Sequence, residues 1–143
     1  MIINTMGFSG KSADEFFTIL VKNKVQSLID IRLNNTSQLS SFTNIKHLPY
    51  FLKLHGINYY YKPEYAPTKA LLDGYKNKSI DWKEYERLYN EIIKKRDILK
   101  NVEWETLDNA VFLCSESTAE KCHRRLLAEI LAKENSNIQI RHL

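Results

Sequence analysis

A thiol, a carboxylate, a second thiol, an imidazole and a guanidinium fall within eleven residues: Cys114, Glu116, Cys122, His123 and Arg124. Three chemistries draw on such a set. In the first, Cys114 is a nucleophile. A phosphatase-type loop needs Arg six residues after the Cys, and position 120 is Glu, so sulfur transfer is what is left to a Cys114 thiolate. In the second, Cys114, Cys122, His123 and Glu116 hold zinc, for which Cys and His are proper ligands. Neighbours on a helix diverge by about 100°, which sets Cys122 and His123 apart; neither a metal nor another cofactor is expected. In the third, Glu116 and His123 move protons beside a bound anion. The third is the expected chemistry, with Cys114 as a further catalytic candidate and Cys122 as a small buried hydrophobe.

The elements around these residues follow from pattern. Ala110 to Cys114 reads as a buried strand, and Ser117 with Glu120 matches a capping box that predicts a helix from Ser117 to about Asn135. Its apolar face, Ala119, Cys122, His123, Leu126, Leu127 and Ile130, turns His123 inward and leaves Arg124 on the flank. The helix N-terminus offers unpaired N–H groups to an anion.

At the start of the chain, Ile2 to Met6 predicts a strand and Gly7 to Gly10 a loop. Ser12 and Glu15 make another capping box, followed by Ala13, Phe16, Phe17 and Leu20 at helical spacing. Val25 to Ile31 is a second strand. Strand, helix and strand within about thirty residues form a βαβ unit, which implies a parallel pair. Ser9, Asp30 and Arg32 then reach the same sheet edge as Cys114, where open α/β sheets take their ligands. Ser9, Asp30, Arg32 and Arg124 are the expected ligand-binding residues. Asp30 and Arg32 read equally well as an ion pair tying loops together.

Residues 33–43, rich in Asn, Ser and Thr, predict a loop. A helix over Ile45 to His55 and a strand over Ile57 to Tyr61 follow. Lys62 to Ser79 lacks a clear period, and the stretch 59–78 interleaves Tyr59, Tyr60, Tyr61, Tyr65 and Tyr75 with Lys62, Lys69, Lys76 and Lys78. Rings and cations in alternation suit a single-stranded nucleic acid; packing tyrosines are the plainer reading. Asp81 opens the longest helix, with Trp82, Tyr85, Leu88, Tyr89, Ile92 and Ile93 as its apolar stripe. Ile138 to His142 is a last strand. Strands alternating with helices predict one α/β domain over residues 1–143, a three-layer arrangement with a mainly parallel sheet flanked by helices.

Composition narrows the classes. The chain has 143 residues, 43% hydrophobic and 27% charged, with a net charge of +4. These values fit a globular domain and permit a phosphate or nucleic-acid partner without demanding one. No apolar run approaches a membrane span, the first residues do not read as a signal peptide, and two cysteines make no disulfide framework. A cytoplasmic protein with free thiols and no membrane partner is expected.

Cys114-Ser115-Glu116 followed by Cys122-His123-Arg124 resembles the DUF488 family of small proteins of unknown function. Thr5-Met6-Gly7-Phe8-Ser9 is similar to that family's opening Thr-Ile-Gly-His-Ser, and Asp30-Ile31-Arg32 to its Asp-Val-Arg, with Ser37 close to its following Ser. Gly56-Ile57-Asn58-Tyr59 resembles its Gly-Ile-x-Tyr, and Ile140 to Leu143 its closing strand. Phe8 stands where the family usually has His, and Glu64-Tyr65-Ala66-Pro67 stands where it has Leu-Gly-Gly. The resemblance implies an α/β fold with these motifs at one edge and no particular activity.

Function is expected at that edge: a pocket for a phosphorylated ligand, nucleotide or nucleic acid, gripped by Arg32 and Arg124, with Glu116 and His123 handling protons. The alternatives are a non-enzymatic nucleic-acid module using residues 59–78, and a buried polar network of Glu116, His123 and Arg124 that only fixes loops.

Overall fold

A computed structural model describes residues 1–38 and 40–143. Five parallel strands, β1 (Ile2–Gly7), β2 (Ser27–Asp30), β3 (Asn58–Tyr61), β4 (Ala110–Cys114) and β5 (Gln139–His142), form one sheet in the order β3-β2-β4-β1-β5. Five α-helices flank it: α1 (Ala13–Lys22), α2 (Leu48–Leu54), α3 (Lys69–Lys76), α4 (Trp82–Lys95) and α5 (His123–Glu134). The expected α/β class is observed. Among the described residues the sheet is parallel throughout.

Burial separates the interior strands from the edges. Every residue of β4, Ala-Val-Phe-Leu-Cys, is buried, so it belongs between two strands and under helices on both sides. It pairs with β1 on one side and β2 on the other, so those two are parallel but not adjacent, unlike the direct pair that the βαβ reading implies. The edge strands β3 and β5 carry exposed residues at both ends.

Side chains alternate across each strand, which divides the core in two. Ile3, Ile29, Ile31, Ala110 and Phe112 meet Leu71 of α3, Tyr85, Tyr89 and Ile93 of α4, and Leu126, Leu127 and Leu131 of α5. Met6, Leu28, Val111 and Leu113 meet Phe16, Phe17 and Leu20 of α1 and Leu48 and Leu52 of α2. Completely burying a side chain such as Phe112 stabilises the fold by about 1.5–3 kcal/mol.

Local signals mostly act as expected. The Ser12 hydroxyl accepts from the Glu15 N–H while the Glu15 carboxylate accepts from the Ser12 N–H. Asp81 caps α4 by accepting from the Glu84 N–H. Within the irregular stretch, Thr68 caps a short helix, α3, by accepting from Leu71 N–H; its eight residues, with Gly74 among them, are too few to show a period.

One boundary differs in a way that matters. The last helix, α5, begins at His123 and not at Ser117, and Cys122 is its N-cap in extended geometry, φ −140° and ψ 142°. Ser117 to Lys121 form bends and turns. A cap is worth on the order of 1 kcal/mol. The later start instead buries Cys122, His123 and Arg124 together.

Candidate functional site

Cys114 ends β4, on the face covered by α4 and α5. Cys122 precedes the first turn of α5 and His123 opens it. Because Cys122 is not helical, the angular divergence expected of neighbours on a helix does not apply. Cys114 Sγ, Cys122 Sγ and a His123 ring nitrogen all lie within 4.8 Å of one another, and the three residues are 6%, 3% and 5% exposed.

The ring is held from both ends. His123 Nε2 lies 2.8 Å from the Ile31 carbonyl, which only accepts, so Nε2 carries the proton. Nδ1 then faces Cys114 Sγ at 3.6 Å. Tyr89 packs against the ring at 5.7 Å between centroids. A hydrogen bond from the Cys122 thiol, with the His123 ring alongside, holds Cys114 well below the ordinary thiol range despite its burial. Cys122, as the donor, is pushed up by that same bond and by burial. Burial opposes charge on His123, but the Cys114 sulfur outweighs it and the net shift is upward. A Cys–His pair oriented by a backbone carbonyl, with a second thiol beside it, supports thiolate chemistry or soft-metal binding.

Arg124 is buried, at 1% exposure. Its Nε donates to Thr5 Oγ1 at 3.3 Å and its Nη1 to the Glu116 carbonyl at 2.5 Å. Thr5 Oγ1 in turn lies 2.6 Å from His142 Nδ1. Gly7, the register partner of Cys114, gives this arrangement its room: a Cβ there would meet the Glu116 oxygen at 1.5 Å and Arg124 Nη1 at 2.8 Å. Glu116 therefore enters the site through its backbone, while its side chain is exposed.

Asp30 and Arg32 stand on the other face. Leu28 and Asp30 share a parity that points toward α1 and α2, whereas Ile29 and Ile31 point toward α4 and α5. Arg32 binds both Asp30 carboxylate oxygens, donating from Nε and Nη2 at 2.8 Å each, and Nη2 also donates to the Thr43 carbonyl at 2.7 Å. Phe8 lies over the guanidinium at 5.5 Å. Tyr59 completes the Asp30 carboxylate with a hydrogen bond of 2.7 Å. Burial and this bond push the Tyr59 phenol well up. Arg32 and Arg124 thus occupy opposite faces. Ser9 is exposed and joins the edge through its backbone N–H, which donates to the Ser115 carbonyl at 3.0 Å.

The tyrosines of 59–78 mostly pack inward. Tyr65 is buried, Tyr75 stacks near Trp82 and Tyr85, and Tyr61 is the most exposed at 40%. A surface cavity of about 480 Å³ opens between α1 and α2, lined by Phe17, Val21, Phe42, Phe51 and His55. None of the expected site residues lines it.

The sequence reading undervalued two residues. Cys122 joins Cys114 and His123 and is not merely core, and Tyr89 supports the imidazole ring. The signal for Cys122 was its place at the end of a turn-rich stretch, where a capping box and a loop compete.

A family model described as "Domain of unknown function DUF488" matches residues 12–131. The match includes Asp30 to Arg32 and the whole Cys114–Arg124 stretch, and it excludes Thr5 to Ser9. No curated protein and no solved structure matches the chain. Among the described residues no helix is long and apolar enough to cross a membrane.

Proposed function

The chain belongs to the DUF488 family, a domain of unknown function, and we propose on its own geometry that the protein is built around a soft divalent metal centre of the zinc class, held by Cys114, Cys122 and His123. The observation that carries this reading is the buried convergence of two sulfurs and one imidazole nitrogen within 4.8 Å. Two ligands of a tetrahedral zinc, with bonds of about 2.3 Å to sulfur and about 2.0–2.1 Å to nitrogen, stand about 3.6 Å apart; Cys114 Sγ and His123 Nδ1 are 3.6 Å apart. The Nε2–H bond to Ile31 supports it further, since metal-binding imidazoles donate their second N–H to a carbonyl or carboxylate. Three protein ligands leave a fourth position to water or substrate, as in catalytic zinc sites. The phosphorylated ligand expected from the sequence enters this reading as an occupant of that position.

Elemental analysis of the purified protein, with zinc or cobalt(II) titration of the chelator-treated form, tests the proposal. The expected result is one ion per chain, lost in Cys114→Ser and Cys122→Ser. Reduced, folded protein that takes up neither ion overturns it.

A second reading uses the same pair without metal. The lowered Cys114 thiol beside an oriented imidazole is the arrangement of a nucleophilic cysteine. It predicts that metal-free protein is alkylated by iodoacetamide at Cys114 well below the pH at which ordinary thiols react. Slow alkylation at ordinary thiol pH excludes it.

A further inference from the structure

With a dication on the two thiolates, the charges around the cluster do not balance, and the imbalance falls on Arg124. Arg32 is neutralised by Asp30 across a 2.8 Å ion pair. Arg124, equally buried, has only neutral acceptors, the Thr5 hydroxyl and the Glu116 carbonyl. Among the described residues no carboxylate stands within ion-pair distance of it. Glu129, on the same helix, pairs with Arg125. His142, beyond Thr5, is an imidazole and supplies no negative charge. A guanidinium withdrawn from water without a counter-charge is costly.

Arg124 also lies on the same face of the sheet as Cys114, against the neighbouring strand. Gly7 and Cys114 are register partners on neighbouring strands about 4.8 Å apart, with their Cβ directions on one face. Arg124 Nη1 lies 2.8 Å from where a Gly7 Cβ would sit.

We infer that the fourth position of the metal centre takes an anionic oxygen donor, a phosphate or carboxylate group, with Arg124 as its counter-charge. The inference rests on the metal reading above. Two thiolates cancel a dication and His123 is neutral as a ligand, so the centre with Arg124 carries one positive charge. An anion at the open position cancels it and gives the guanidinium a charged acceptor.

Cobalt(II)-loaded protein titrated with inorganic phosphate, acetate and neutral imidazole tests this through the visible ligand-field bands. Saturable change with phosphate or acetate is expected, at lower concentration than with imidazole. In Arg124→Gln the anion response should weaken by about tenfold or more, with cobalt stoichiometry and circular dichroism unchanged. No anion response in cobalt-loaded wild-type protein overturns the inference and leaves the metal centre standing. An equal response in folded Arg124→Gln, or a wild-type preference for imidazole over both anions, also overturns it. The wild-type preference decides the matter even if Arg124→Gln does not fold. Failure to take up cobalt overturns the metal reading and this inference together.

Discussion

Gly7→Ala is the sharpest structural test of the site. The added methyl would lie 1.5 Å from the Glu116 carbonyl oxygen, which is backbone, and 2.8 Å from Arg124 Nη1. Ordinary carbon–oxygen contact is about 3.5 Å, so the carbonyl must retreat by roughly 2 Å. That breaks the hydrogen bond from Arg124, whose donor is charged and buried, at about 1.5–3 kcal/mol. Overpacking of the strand end adds about 1–3 kcal/mol. The expected loss is about 3–5 kcal/mol, which for a domain of this size lowers Tm by on the order of 10 °C or more. Urea and thermal unfolding measure it. Because Gly7 and Arg124 act on one carbonyl, the Gly7→Ala, Arg124→Gln double variant should lose clearly less than the sum of the two singles. A loss below about 1 kcal/mol, or strict additivity, would refute the claim that this carbonyl is wedged between strand and guanidinium.

Two further outcomes are expected. Asp30→Ala should cost about 3–5 kcal/mol by denaturant unfolding, because it strands a buried guanidinium; at saturating ion the folded variant should still bind one metal per chain, since the pair supplies no ligand, and loss of that stoichiometry would contradict the assignment of the ligands to the opposite face. Thr5 Oγ1 accepts from Arg124 and so donates to His142 Nδ1, and burial with Arg124 holds His142 below the usual imidazole range. The folded state then prefers the neutral ring: above about pH 6.5 it adds no pH dependence, and as pH falls below that value the unfolded chain takes the proton first and stability drops. Wild-type protein should therefore lose more stability than His142→Gln between about pH 7.5 and about pH 5, and the opposite order in thermal melts would refute it.

Much of the fold is legible in the chain. Strand–helix alternation, the Ser12–Glu15 capping box and the apolar run of Ala110 to Cys114 locate the elements, because each signal acts over a few neighbouring residues. What was hidden depends on distant ones. The insertion of β4 between β1 and β2 rests on pairing between segments far apart in the chain, because burial marks β1, β2 and β4 alike as interior strands. The start of α5 sets a local capping box against the burial of Cys122 and Arg124, and only tertiary contacts decide it. Asp30 and Arg32 approach the correct edge in sequence, but a strand's two-residue period sends them to one face while Cys114 goes to the other. Helical phase puts Arg124 on a flank, and nothing in the local pattern reveals that Thr5 and the Glu116 carbonyl wait to receive it.

The bond from His123 to the Ile31 carbonyl joins the cluster to the start of the long 31–47 segment, where Arg32 and Thr43 are also tied. That bond makes the two regions thermodynamically linked. A metal held at Nδ1 would withdraw electron density from the ring and make Nε2–H a stronger donor, and so would tighten the hold on Ile31. Linkage is reciprocal: whatever grips or loosens 31–47 from outside changes affinity at the cluster by the same factor, and amide exchange in that segment would register an ion bound on the far side of the sheet.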